Sequence, residues 1–422
     1  MAKTPKALPV SAHSIKASLA GVAVFSFART FFWPVQEPPI VQMLLAMLLY
    51  IIPVIFCNFV ILKSHKKNDE INWNKKAPIN WDRTFSKILG LTVVFFCIGF
   101  FYWLMPIYQE EFYESYFVLL KFVFPFLCIA AVPYIAITDR KMKDPKDTYF
   151  HLGQRLRGKD NGLNTNMLKQ LSLGWLVKAF FLPLMITFFS LHLNAVTKND
   201  FFQNFEFKEL YDLLMNYAYM IDVLIGTIGY IFTFKILNTH IRSTEYTVGG
   251  WAVALLCYPP FLGVTTKDYF AYKSFEWIDW LSGMPVLMII WGLITLALSF
   301  IYIYATICFG LSFSNLTYRG LISSGCYKWS KHPAYLTKNL SWWFMAAPFL
   351  VDGGIVEITR NCLLLLGINS IYYFRAKTEE RHLMQYPEYK DYYEWMNQNG
   401  VITKRLYKLE KAFGKFIFKN KP

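Results

Sequence analysis

Apolar and polar positions along this chain are segregated into long blocks. A bilayer-crossing helix needs about 20 mostly apolar residues, and candidate runs recur at roughly 15–35, 40–62, 85–107, 116–138, 173–194, 211–234, 248–266, 283–313, 339–351 and 358–374. The second, third, fourth, sixth and eighth blocks are the most strongly apolar. The first carries Arg29 and follows Lys3, Lys6 and Lys16, an order shared with signal peptides. No small-x-small cleavage site follows it, so it is read as a span. The seventh contains Pro259-Pro260 and is expected to be broken. The ninth is short and ends at Asp352-Gly353-Gly354, a turn signal that makes blocks nine and ten the arms of a tight helical hairpin. The fold class predicted is all-α: a polytopic integral membrane protein of about ten transmembrane helices, nine being the alternative count.

The polar segments between the blocks are basic in alternation. Lys63, Lys66, Lys67, Lys75, Lys76 and Arg83 lie between blocks two and three, and Arg140, Lys141, Lys143, Lys146, Arg155, Arg157, Lys159 and Lys169 between four and five. Glu110, Glu111 and Glu114 lie between three and four, where cations are few. The positive-inside rule then places both termini in the cytoplasm, in the inner membrane of a bacterium or the endoplasmic reticulum of a eukaryote. The tail ends in an amphipathic basic stretch, Thr403–Phe418, with Leu406, Leu409, Phe413 and Phe416 among cations. It suits either an anionic membrane surface or an ordinary solvated helix.

Composition agrees with the pattern. Of 422 residues 55% are apolar, 19% aromatic and 17% charged, yet the net charge is +15. Disordered chains lack this hydrophobicity. A soluble enzyme is disfavoured by the blocks, and a nucleic-acid binder by the confinement of the cations to short loops. Six of the seven cysteines lie in apolar runs and no CxxC pair occurs, so they are read as small apolar residues.

Polar residues concentrate at the ends of the last two blocks. The first group runs from Gly325 through Tyr327, Lys331, His332 and Pro333 to Tyr335. The second is Arg375, Lys377, Glu379, Glu380, Arg381 and His382, and Tyr386, Glu388, Tyr389 and Tyr392 follow. Pro333 suits the first turn of a helix, which puts His332 at an anion-friendly N-terminal mouth. The hairpin would bring both groups to one membrane face. Cations, two carboxylates and aromatic rings together suit a zwitterionic, nucleoside-like ligand better than a metal. Taken singly, Arg375 and Glu379 also fit a surface ion pair, and Tyr389 and Tyr392 fit interfacial anchors.

These three segments together resemble the isoprenylcysteine carboxyl methyltransferase family and the related membrane phospholipid methyltransferases. The family pattern is G-x-Y-x-x-x-R-H-P-x-Y-x-G, a helical hairpin, R-x-x-x-E-E-x-x-L, and E-Y-x-x-Y. Gly325, Tyr327, His332, Pro333 and Tyr335 match its first part, with Lys331 for the arginine and Thr337 for the last glycine. Arg375, Glu379, Glu380 and Leu383 match the second part, and Glu388, Tyr389 and Tyr392 the third. The proline-containing ending of the family is replaced by Val401-Ile402-Thr403-Lys404.

The resemblance implies methyl transfer from S-adenosylmethionine, without a metal, to a lipophilic acceptor: a lipid or a prenylated carboxylate. It implies a cofactor pocket formed by Gly325, Tyr327, His332, Pro333, Tyr335, Glu379 and Glu380, with Arg375 and Glu380 as the catalytic pair. Glu380 is favoured over Glu379 on the expectation that Arg375 occupies Glu379. Residues 283–400 would then be a methyltransferase-like core, 1–282 membrane helices of unmatched type, and 401–422 a basic tail. Asp222, Lys178 and Asn369, polar inside spans, are candidate acceptor contacts. Two alternatives remain: an NADPH-dependent membrane reductase of the sterol reductase type, and a transporter or scaffold without catalysis. Pro333 and Lys338 interrupt the reductase signature.

Overall fold

Apolar stretches of this length satisfy their backbone in lipid only as helices or closed barrels, and helices form. The computed structural model describes residues 7–159 and 162–418, apart from the side chains of residues 202 and 411–418. Lys3, Lys6 and the side chains of Phe413 and Phe416 therefore lie outside the described residues. Helices α1 (Ile15–Phe31), α2 (Pro39–Phe56), α3 (Trp81–Leu104) and α4 (Glu114–Lys141) are followed by α5 (Thr148–Leu156), α6 (Thr165–Lys198), the single turn α7 (Phe201–Asn204) and α8 (Phe207–Ile231). Then come α9 (Val248–Leu255), the turns α10 (Phe261–Gly263) and α11 (Trp277–Trp280), α12 (Pro285–Phe309), α13 (Pro333–Met345), α14 (Gly354–Leu383), α15 (Pro387–Asn399) and α16 (Thr403–Phe418). Among the described residues the strands are limited to β1 (Ser243–Thr244) and β2 (Thr317–Tyr318), an antiparallel pair.

Seven segments are long and apolar enough to cross a membrane: Pro39–Ile61, Trp81–Leu104, Glu111–Lys141, Thr165–Lys198, Phe207–Ile231, Pro285–Ser312 and Gly354–Leu383. The protein is an all-α polytopic membrane protein, but three of the ten predicted blocks are not continuous helices of full length. Helix α1 has 17 residues and α13 has 13, rising roughly 25 and 20 Å. The seventh block is broken, as its prolines require. Helix α9 ends at Leu255, the Pro259–Pro260 peptide is cis, and a wide π turn covers Val264–Tyr269. The broken segment still descends beside α14. Ser243 hydrogen-bonds with His382 (2.9 Å), Tyr258 lies against Arg375, Phe270 fills the space at Gly367, and the Lys273 carbonyl accepts from Asn361 (3.0 Å). These contacts, with β1–β2, tie residues before 283 to those after it.

The basic loops after α2, α4 and α8 gather on one face of the bundle. The Asn72 amide donates to the Lys141 carbonyl (2.8 Å), and Glu70 binds Lys235 (2.8 Å) and His240 (2.7 Å). The His240 hydrogen bond, ahead of a smaller opposing effect of burial, holds the Glu70 carboxyl down at about 2. Asp139, 1% exposed, binds both Arg83 (2.6 Å) and Lys87 (3.0 Å). The N-terminal segment reaches the same face, where the Ala12 amide donates to the Leu321 carbonyl (2.7 Å).

Arg319 anchors this face. It is 2% exposed and donates to the carbonyls of Thr239 (2.6 Å), Gly229 (2.8 Å), Phe313 (2.9 Å) and Phe232 (3.1 Å). The last turn of a helix leaves carbonyls without partners, and the guanidinium satisfies those at the end of α8 while holding β2 beside them. Arg319→Met is expected to lower stability by about 3 kcal/mol, since a buried charged donor set is lost from four acceptors. Thermal unfolding in detergent measures it.

Candidate functional site

The hairpin of α13 and α14 sets the site. Pro333 is the first residue of α13 and His332 its N-cap, as its missing N–H and fixed φ favour. Helix α14 begins at Gly354 (φ 66°), where a left-handed turn suits glycine. The two helices then run antiparallel with their polar residues level. His332 Nε2 hydrogen-bonds with Glu380 Oε1 (3.1 Å), and Arg375 stacks on the Tyr335 ring (5.0 Å). Deeper, Trp343 donates to Asn369 (2.9 Å), which donates to Asn339 (3.2 Å).

A cleft opens at the His332 end. It encloses ≈ 1100 Å³ of open space, including the part continuous with solvent. Tyr327, His332, Tyr335, Arg375 and Glu379 line it, together with Tyr389 and Tyr392 from α15. The three motif segments thus meet at one place. A second cavity of ≈ 360 Å³, on the same count, adjoins it and is bordered by Glu245, Thr378 and His382. Tyr335, Arg375 and Glu379 border both.

Arg375 is 7% exposed and held on several sides. It donates to Asn315 Oδ1 (2.6 Å), and its guanidinium lies 5.0 Å from the Tyr335 ring and 5.3 Å from the Tyr258 ring. Asn315 in turn donates to the Tyr258 hydroxyl (3.1 Å). Among the described residues no ion pair joins Arg375 to Glu379. Glu379 instead faces the cleft, 3.8 Å from His332 Nδ1. The expected Arg375–Glu379 pairing, on which the choice of Glu380 over Glu379 rested, is therefore not formed among the described residues. Glu380 borders neither cavity, and its side chain is 8% exposed beneath Lys331 (2.7 Å), His332 (3.1 Å) and Lys377 (3.6 Å). It fixes the start of α13 to the end of α14. Burial pulls the Lys331 pKa down while the Glu380 carboxylate opposes the shift. The Lys331 ammonium also sits 3.7 Å above the Tyr393 ring.

Gly325 and Pro333 shape the wall without lining the cleft. Gly325 has φ 62°, and a Cβ there would come within 2.4 Å of Cys308 Sγ. Thr337 turns its hydroxyl back to the Pro333 carbonyl (2.9 Å). The 401–404 segment docks beside the site: the Ile402 amide donates to the Trp329 carbonyl (3.0 Å) and the Lys331 amide to Thr403 Oγ1 (3.1 Å). In the third segment, Glu388 accepts from Tyr318 (2.7 Å), and the Tyr392 hydroxyl donates to the Tyr327 carbonyl (2.7 Å).

Of the intramembrane candidates, Asp222 accepts from Tyr302 (2.8 Å) and Thr306 (2.5 Å), pairing α8 with α12. Lys178 donates to Thr233 and lies over Trp175 (4.5 Å), turned into the protein. Asn369 zips α13 to α14. Asn315, Tyr258 and Lys338 line the cleft without having been anticipated. The Pro259–Pro260 break was the one signal near Tyr258.

The fold defines the class, an integral membrane protein with a polar cleft at one end of a helical hairpin. No protein-family model, curated protein or solved structure matches the chain.

The two adjacent glutamates are expected to separate in stability. Glu380→Gln leaves buried Lys331 without its carboxylate and should cost on the order of 3 kcal/mol. Glu379→Gln, at a half-open rim position, should cost under about 1 kcal/mol. Thermal unfolding of both variants in detergent measures the difference.

Proposed function

We propose that the cleft binds S-adenosylmethionine and that the protein transfers its methyl group to a lipophilic acceptor at the cytoplasmic face. The observation that carries this reading is the convergence of the three resembling segments, distant in sequence, on one cleft that shares a wall with a second cavity.

The residues present fit the cofactor. Glu379 supplies a carboxylate for an ammonium or for ribose hydroxyls. His332, at the N-terminus of α13, suits a carboxylate. Tyr327, Tyr335, Tyr389 and Tyr392 supply ring faces for a purine and for a cationic sulfur. When bound, the cofactor supplies an electrophilic methyl carbon, so positioning and exclusion of water are what the chain contributes. Arg375, locked by Asn315 and by the rings on either side, keeps the wall between the cavities rigid and orients what lies against it. Glu380 acts through Lys331 and His332 as a positioning residue. The lysine and arginine bias of the loops supports a cytosolic orientation of this face.

Detergent-purified protein is expected to bind S-adenosylmethionine saturably, measured by equilibrium dialysis. Glu379→Gln is expected to weaken binding about tenfold or more, through loss of a charge-assisted hydrogen bond. Binding of NADPH in its place would transfer the argument to the reductase reading. Binding of neither would favour a transporter or scaffold.

A further inference from the structure

The inner end of the cleft carries a cation that the proposed cofactor does not use. Lys338 lies six residues into α13 from His332, roughly 9 Å of helix rise away from the rim. Its ammonium stands 5.3 Å from the Tyr302 ring, 5.6 Å from the Trp342 ring and 5.7 Å from the Tyr372 ring. Tyr372 is one turn deeper in α14 than Arg375, so aromatic rings surround the ammonium at this end of the cleft.

The other cations lining the cleft each have an acceptor. Arg319 holds four carbonyls, Arg375 holds Asn315, Lys331 holds Glu380, and His332 shares Glu380. Among the described residues, Lys338 is the cleft-lining cation whose side chain has no hydrogen-bond or ion-pair acceptor. Asp222 accepts hydroxyls from Tyr302 and Thr306, and among the described residues it forms no ion pair with Lys338. Ring faces attract an ammonium without satisfying its three donors. The Lys338 ammonium therefore keeps donors free toward the cleft.

We infer that Lys338 is the recognition point for an anionic group, a carboxylate or a phosphate, on a lipophilic ligand whose chains extend toward the bilayer. The rings of Tyr302, Trp342 and Tyr372 form the apolar collar just beyond that group. This deepens the acceptor side of the proposed reaction and rests on that reading only in placing the acceptor in this cleft. The assay below contains no cofactor, so its outcome and that of S-adenosylmethionine binding are independent.

The test uses the full chain in detergent and quenching of tryptophan fluorescence by brominated probes. These are dibromostearate for a carboxylate, a brominated phosphatidic acid for a phosphate, and dibromostearyl alcohol as the neutral control. At least one acidic probe is expected to quench saturably at a concentration about tenfold or more below the alcohol. Trp342→Phe should remove most of the saturable signal. Lys338→Met should abolish the preference for acid over alcohol, and Lys338→Arg should keep it. The tighter acidic probe identifies the anionic group. Equal quenching by acid and alcohol in the unaltered protein would overturn the inference, as would a preference that survives in Lys338→Met or a saturable signal untouched by Trp342→Phe. Should Lys338→Met bind no probe at all, Lys338→Gln is judged by the same criterion.

Discussion

The register of α13 against α14 is the constraint on which the site depends. A 13-residue helix meets a 30-residue one so that His332 stands level with Glu379 and Glu380, Tyr335 with Arg375, Lys338 with Tyr372, and Trp343 with Asn369. A slip of one residue would turn either helix face by about 100° and separate every pair. Several contacts hold the register: the buried Lys331–Glu380 ion pair at the rim, Arg375 on the Tyr335 ring in the middle, and the Asn339–Asn369–Trp343 chain below. The broken segment 248–275 lies along α14 and adds Tyr258 to the same layer. Its prolines, which end a helix, free that chain to follow the hairpin.

What was legible in the sequence was what is local. Apolar length reports a span wherever the helix is continuous, and the seven long helices were readable on that basis. It fails where a helix ends for reasons outside the apolar run. Helix α13 starts at Pro333, inside a stretch that reads as polar, and stops at Met345. Within the site, His332, Tyr335 and Arg375 were legible because helical spacing alone puts them at one end of a hairpin. The order of Glu379 and Glu380 was not. Adjacent helical residues differ by roughly a quarter turn, and which one faces the cleft depends on where Lys331 and Tyr393 are packed. Asn315, Tyr258 and Lys338 come from three different segments and have no pattern in common. Asp222 was legible as an ionisable group inside a span, but its partners lie on α12, some 80 residues away.

The charge and aromatic excesses of the chain acquire separate roles. Lysines and arginines of the loops collect on one face, where Arg319 closes the end of α8 and the Asp139 cluster clamps α3 to α4. Aromatic rings wall the cleft, taking cations on their faces where carboxylates are few. In this arrangement Glu379 is the carboxylate left facing the cleft, between a histidine at a helix start and an immobilised arginine. That combination of charges is what the proposed zwitterionic ligand would meet.

The most direct measurement is transfer of a radiolabelled methyl group from S-adenosylmethionine into a total lipid extract by the purified protein. The account predicts time-dependent label in the organic phase, strongly reduced in Glu379→Gln and in Arg375→Met. An organic phase without label across a broad range of lipid extracts, or label unaffected by both substitutions, would contradict it.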